Sequence, residues 1–106
     1  MRKILLLLVA LVGFGISAFG QFSEQLTVCN NIGEKIVFAI DGTVRVSVNG
    51  EIIARGTYTS GSSTVELFLK YTDDRKVEWE GTYIVSRETR KVISMTINRS
   101  TYTPCR

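Results

Sequence analysis

The chain has 106 residues with 13 basic and 10 acidic side chains, a formal net charge of +3, and no histidine. Histidine is the most common general base and metal ligand, so its absence leads us to expect neither an enzyme nor a metal or cofactor site. The basic residues form no stripe interleaved with aromatic residues, which argues against nucleic acid as a partner.

The N-terminal segment has the composition of a secretory signal peptide. Two basic residues come first, an apolar run covers residues 4–12, and the small residues Ala18 and Gly20 precede the expected cut. The apolar run is shorter than the roughly 20 residues that span a bilayer. We therefore expect residues 1–20 to be a cleaved signal peptide helix and residues 21–106 to be one secreted or periplasmic domain, with no membrane attachment after cleavage. Cleavage removes two of the 13 basic residues, leaving 11 against 10 acidic ones and a net charge of +1.

From Ile36 onward, apolar residues recur at every second position, and turn-forming residues interrupt this alternation about every eight to twelve positions. This pattern is typical of a β-meander. We predict an all-β, antiparallel meander of seven strands, which are residues 26–30, 35–40, 43–48, 51–59, 64–71, 76–86 and 91–98.

The register of each hairpin follows from the rule that the apolar sets of both strands must reach the same face. On this rule we predict a three-residue loop that ends in a left-handed Gly50 and pairs Val46 with Ile52. In the hairpin of residues 64–86, the rule favours a five-residue loop over 72–76. Lys70 would then lie opposite Glu78, as a cross-strand pair of opposite charges.

Two glycines lie within predicted strands, in the recurring tripeptides Gly56-Thr57-Tyr58 and Gly81-Thr82-Tyr83. Glycine inside a strand marks a sharp bend or a close approach of two backbones, which small, strongly coiled sheets require. We expect Gly56 and Gly81 to have this role.

The cysteines of the chain are Cys29 and Cys105, near the two ends of the expected mature domain. An oxidising compartment favours a disulfide between them, and closing a loop of about 77 residues would stabilise the fold by roughly 4–5 kcal/mol. The alternative, a reactive thiol, needs a nearby base or cation. A disulfide requires the chain ends to meet, which in a meander favours a closed or partly closed barrel over a flat sheet.

The order of turns and strands resembles that of a known class of domains. A strand that ends in Asp41-Gly42 is followed by Asn49-Gly50, by Gly56-Thr57-Tyr58 and by a further apolar strand. This order is similar to the lipocalin-like domains of small secreted bacterial proteins, over roughly residues 36–98. The resemblance implies an up-and-down barrel with a hydrophobic interior site.

Two sets of side chains are candidates for binding. Alternation directs four aromatic residues inward, where they either line a ligand pocket or fill the core with their own bulk. These residues are Tyr58, Tyr71, Trp79 and Tyr83. On the outer face, the predicted registers bring Phe68, Ile84 and Val92 together, either as a partner-binding patch or as ordinary surface apolarity.

The prediction for function is a secreted, non-catalytic β-barrel binding module. Its ligand would be a small apolar molecule, a glycan or an extracellular partner protein. The alternative is a structural or inhibitory extracellular module that acts through its loops, for example the basic loop of residues 87–91.

Overall fold

The computed structural model describes residues 20–105, which form eight antiparallel strands closed into a barrel. Residues 1–19 of the expected signal peptide lie outside the described residues. The strands are β1 Leu26–Cys29, β2 Glu34–Phe38, β3 Thr43–Val48, β4 Glu51–Ser60, β5 Thr64–Tyr71, β6 Lys76–Val85, β7 Val92–Ile97 and β8 Ser100–Pro104. The all-β meander and the closed barrel are confirmed. In the part of the chain described, no helix has the length and apolarity to cross a membrane.

The barrel closes where the first strand meets the last. Val28 pairs with Pro104 and Cys29 with Thr103. Cys29 is joined to Cys105 by a disulfide, with 5.2 Å between the two Cα atoms. The predicted bridge is therefore present, and it lies beside the shortest strand pairing of the barrel. A disulfide is consistent with an extracellular or periplasmic location.

Strand β8 is absent from the predicted set of seven strands. It follows β7 through a two-residue turn in which Asn98 and Arg99 have φ angles of 52° and 68°. A type I′ hairpin turn requires positive φ at both central positions, which an arginine rarely adopts. Of the residues of β8, Tyr102 is the one that is buried. The strand therefore carries too little apolar alternation to be recognised from its sequence.

The interior of the barrel is filled by thirteen buried apolar side chains. They come from β1 to β5, β7 and β8, while β6 contributes half-buried side chains that pack against them. The buried residues are Val28, Ile36, Phe38, Val44, Val46, Ala54, Tyr58, Val65, Leu67, Leu69, Met95, Ile97 and Tyr102. The core therefore extends through the barrel.

The predicted register between β3 and β4 is wrong by two positions. Val46 pairs with Ala54 instead of Ile52, and the turn is a two-residue Asn49-Gly50 connection. Both turn residues have positive φ, 51° and 88°, as in the type I′ turn whose twist matches that of the flanking strands. β4 has one residue more than β3 in this hairpin. That residue forms a bulge within β4, where the register shifts between Val46 and Ser47, and does not lengthen the loop.

The predicted register between β5 and β6 is also wrong by two positions, although the inward and outward faces are correct. Lys70 lies opposite Lys76, and Glu78 lies opposite Phe68. The hairpin is tighter than predicted, because the N–H of Tyr71 donates to the carbonyl oxygen of Arg75 at 2.8 Å. Asp74 makes this possible by adopting a φ of 72°, which aspartate tolerates better than most residues.

The prediction for the strand glycines is confirmed. A Cβ atom at Gly56 would overlap the backbone carbonyl oxygen of Phe68, and one at Gly81 would overlap that of Thr96. At both positions the neighbouring strand therefore approaches more closely than any side chain would allow. These two approaches help a sheet of eight short strands to curve into a small barrel.

Candidate functional site

The four aromatic residues predicted to point inward do so. Tyr58 is 1% exposed and belongs to the core. Tyr71, Trp79 and Tyr83 are half-buried and pack against the core. A ligand-lining role for these side chains stays a prediction, and their contacts describe what they do in the fold.

An aromatic cluster fills one end of the barrel. The ring of Tyr58 stacks on Phe22 at 5.5 Å between centroids and meets Phe38 edge-on at 5.0 Å. Phe22 also contacts Tyr83 edge-on at 5.5 Å. The Tyr58 hydroxyl donates to the carbonyl oxygen of Ala39 at 2.8 Å and accepts from the N–H of Phe22 at 3.0 Å. Burial raises the pKa of Tyr58, so its hydroxyl remains a neutral anchor for the segment that precedes β1.

The opposite end is held by Tyr102 of β8. Its hydroxyl donates to the carboxylate of Glu34 at 3.2 Å. Burial, reinforced by the negative charge of Glu34, raises the pKa of Tyr102 to about 12. The tyrosine is therefore protonated at neutral pH and links the last strand of the barrel to the start of β2.

The structure does not gather Phe68, Ile84 and Val92 into one patch. Phe68 and Ile84 are 41% and 60% exposed, but Val92 is half-buried and packs against the core. Phe68 lies opposite Glu78, and Ile84 lies six positions further along the same strand. At about 3.4 Å per residue this separates them by about 20 Å. Ile84 faces Ser94 instead of Val92, because β7 carries a bulge there.

A groove with a volume of about 440 Å³ lies on the outside of the barrel, over the close approach at Gly56. We call it the outer groove. Strands β4, β5 and β6 form it, and Phe68 is its exposed aromatic residue. Its lining consists of Arg55, Gly56, Thr57, Phe68, Leu69, Lys70, Lys76, Val77 and Glu78.

Four cationic side chains cross the outer face of the barrel next to this groove. Arg45 lies opposite Arg55, Arg55 opposite Lys70, and Lys70 opposite Lys76. All four are exposed. We call them the basic row. Directly opposed residues have Cβ atoms about 4.5–5.5 Å apart, at which distance like charges destabilise a sheet. The row therefore places three consecutive unfavourable pairs side by side.

Neighbouring carboxylates neutralise only part of the basic row. Lys70 forms an exposed ion pair with Asp74 at 3.3 Å, and Arg75 forms one with Asp73 at 2.8 Å. Residues 20–105 contain no other ion pair in which the nitrogen and oxygen atoms lie within 4 Å of each other. The guanidinium group of Arg75 also lies 4.7 Å from the centre of the Tyr71 ring. Arg45, Arg55 and Lys76, the other three cations of the row, have no carboxylate oxygen within 4 Å in this part of the chain.

With increasing distance from the basic row, the outward-facing side chains of β4 to β6 change from polar and aromatic to acidic. In the next row Thr57 lies opposite Phe68, and Phe68 opposite Glu78. One row further on, Glu66 lies opposite Glu80. Acidic groups therefore limit the width of the positively charged strip on this side.

The basic loop between β6 and β7 is ordered by Ser86. The hydroxyl oxygen of Ser86 accepts from the N–H groups of Glu88 and Thr89 at 3.3 Å each. Its backbone N–H donates to Lys91, and its carbonyl oxygen accepts from the N–H of Arg90, at 2.9 Å each. The loop therefore presents Arg90 and Lys91 to solvent on a defined backbone.

Sequence reasoning missed the basic row. Lys70 is predicted on the outer face, where it lies, but the predicted loop of residues 72–76 removes Lys76 from the pairing. The predicted register sets Lys70 opposite Glu78, a pair of opposite charges that the structure does not contain. The detectable signal was the tight turn that Asp73-Asp74 can form, since a three-residue loop brings Lys70 opposite Lys76.

Residues 20–105 offer no cluster of metal-binding side chains. This part of the chain contains no group of three or more cysteine, aspartate or glutamate residues that could hold a metal ion. Comparisons with protein-family models, with curated proteins and with solved structures found no match.

Proposed function

We propose that the chain is a secreted or periplasmic, non-catalytic binding module of the lipocalin-like barrel class, which holds its ligand in the outer groove. The observation that carries this proposal is the combination, in one groove, of an exposed Phe68 ring with the cations Arg55, Lys70 and Lys76. An exposed aromatic residue beside charged groups with few partners is typical of a recognition surface.

The filling of the barrel supports an outer site over an inner one. Tyr58 and Tyr102 are 1% and 3% exposed, and their hydroxyls are engaged by Ala39 and Glu34. A ligand inside the barrel would have to displace Phe22 or core side chains and break these bonds. An eight-stranded barrel is only just wide enough for its own side chains or for one small ligand.

The disulfide supports the location. A bridge between Cys29 and Cys105 persists in oxidising compartments and is rare in the cytosol. The outer groove would then face the periplasm or the medium, where glycans and proteins are the available macromolecular ligands.

The test is a binding screen of the oxidised protein on an array of neutral and acidic glycans, together with a fluorescent fatty acid as a probe of the interior. We expect glycan binding that is lost in Phe68→Ser and retained in Ile84→Ser, a matched control at an exposed apolar residue outside the groove. Quenching of Trp79 fluorescence by the fatty acid, with no glycan bound, would contradict the outer site and favour the interior.

The ordered basic loop supports a second candidate, an inhibitory or structural module that acts through residues 87–91. Its backbone is fixed by the bonds to Ser86, as an inhibitory loop requires. Binding that survives Phe68→Ser but is lost when Arg87, Arg90 and Lys91 are replaced by glutamate would favour this candidate.

A further inference from the structure

We propose that the outer groove binds an acidic polysaccharide, whose carboxylate or sulfate groups contact the basic row in succession. This inference rests on the proposed function of the outer groove and names its ligand class. It follows from the arrangement of charges on β3 to β6, which the strand pairing fixes.

The basic row destabilises the fold of the unbound protein. Three consecutive cross-strand pairs carry like charges. They are Arg45 with Arg55, Arg55 with Lys70, and Lys70 with Lys76. Each such pair destabilises the sheet. A bound chain of anionic groups would offset this repulsion, because each cation would then face an anion. Arg45, Arg55 and Lys76 have no carboxylate within 4 Å among residues 20–105.

The four cations of the basic row are evenly spaced along a line. Neighbouring strands lie about 4.7–4.9 Å apart, so the four cations extend over three gaps, or about 14 Å. A small anion can contact one or two of them at a time. A polymer with a charge on successive units can contact all four, and it would lie across the strands along the row.

The side chains beside the basic row favour one class of polyanion over others. Thr57 and Phe68 lie in the next row, where a hydroxyl and an exposed ring suit the hydroxyl groups and the apolar face of a sugar. Glu78 lies at the end of that row, and Glu66 and Glu80 follow beyond it. A wide polyanion such as duplex DNA, or a flat anionic membrane, would press phosphates against these carboxylates.

A single strand of nucleic acid is also narrow, but it fits the groove less well. Such strands depend on successive bases stacking on several aromatic side chains. Phe68 is the one aromatic residue among the exposed large hydrophobic residues of the described chain. The Tyr71 ring is half-buried and already covered by the guanidinium of Arg75. The geometry therefore favours a sugar polymer.

The experiment measures binding of the oxidised protein to four probes by calorimetry at two salt concentrations. The probes are heparin oligosaccharide, polygalacturonate, neutral dextran and a thymidine oligonucleotide, and vesicles of phosphatidylglycerol are tested by co-sedimentation. We expect binding to heparin or polygalacturonate that weakens at high salt, and weaker or no binding to the other three. The two glycans distinguish sulfate from carboxylate as the recognised group.

Two charge variants with the same loss of charge locate the site. Arg55→Gln/Lys70→Gln removes the middle of the basic row, and we expect it to weaken binding by about tenfold. Arg87→Gln/Lys91→Gln removes two exposed cations of the β6–β7 loop and should change it by less than about twofold. Both pairs are exposed, and an unfolding midpoint no lower than that of the native protein shows that the fold of each variant is intact.

Several results would overturn the proposal. Equal binding to dextran, or tighter binding to the oligonucleotide or to the vesicles, would exclude an acidic glycan as the ligand. If Phe68→Ser abolishes glycan binding and Arg55→Gln/Lys70→Gln leaves it unchanged, the role of the basic row is refuted, while the outer groove remains the site. Binding that neither variant affects would refute the proposed function as well.

Discussion

Replacement of Cys29 and Cys105 by serine is the perturbation whose effect on the fold can be worked out most fully. The disulfide connects residues that are 76 positions apart. In the chain-entropy treatment, a closed loop of this length stabilises the folded state by about 4.5 kcal/mol at 25 °C. A domain of this size has a total stability of about 4–13 kcal/mol. The double variant should therefore lose a large part of its free energy of unfolding.

The position of the bridge adds to this effect. Strand β1 contacts β8 through two residue pairs, Val28 with Pro104 and Cys29 with Thr103. This pairing is shorter than the others in the barrel, and proline cannot donate a backbone hydrogen bond to it. Without the covalent link, these two pairs, the hydrogen bond from Cys105 N–H to the carbonyl oxygen of Thr27 and the contacts of Tyr102 are what hold the closing strands together.

The assay is urea unfolding followed by the fluorescence of Trp79, which is half-buried against the core. The serine variant should unfold at a lower urea concentration, by an amount equivalent to about 4–5 kcal/mol. A reducing agent should destabilise the native protein by a similar amount and leave the serine variant unchanged, which is the matched control. If the variant is destabilised by less than about 1 kcal/mol, the reasoning about barrel closure is refuted.

Three further predictions test the packing of the barrel. Gly81→Ala should cost about 1–3 kcal/mol of unfolding free energy, because the added methyl group overlaps the backbone of β7; a thermal melt identical to that of the native protein would contradict the close approach at this glycine. Tyr58→Phe should cost about 1–3 kcal/mol by leaving the carbonyl of Ala39 and the N–H of Phe22 without their partner; a melt identical to that of the native protein would contradict this role. The free energy of unfolding should fall between about pH 10 and about pH 12, because Tyr102 keeps its proton in the folded state after the unfolded chain has released it. Tyr102→Phe should make this fall shallower, and an equally steep fall in the urea titrations of this variant would count against the raised pKa.

In β5, the face on which each side chain lies could be predicted from the sequence, but its partner across the sheet could not; in β7, the bulge moves Val92 from the predicted outer face to the core. Alternation of apolar and polar residues decides the face, and a register error of two positions leaves it unchanged. Val65, Leu67 and Leu69 are accordingly buried as expected. The registers depended on loop lengths, and Asp74 and Asn49 adopt positive φ angles that shorten both hairpins.

The same limitation accounts for what was missed at the candidate site. The basic row is a property of registers across four strands, so that one wrong loop length disperses it. Strand β8 was missed because Tyr102 is its single buried side chain and the preceding turn contains no glycine. In contrast, Cys29 and Cys105 required only chemistry and compartment, and the bridge predicted from them is present.

The most direct test of the account is a map of amide chemical shifts of the oxidised, isotope-labelled protein during titration with heparin oligosaccharide. We predict that the changes concentrate on Arg45, Arg55, Phe68 and Lys70, while buried amides such as those of Leu67 and Tyr102 remain unchanged. Changes centred on Trp79 and Tyr83, with the outer face unaffected, would place the ligand inside the barrel and contradict the account.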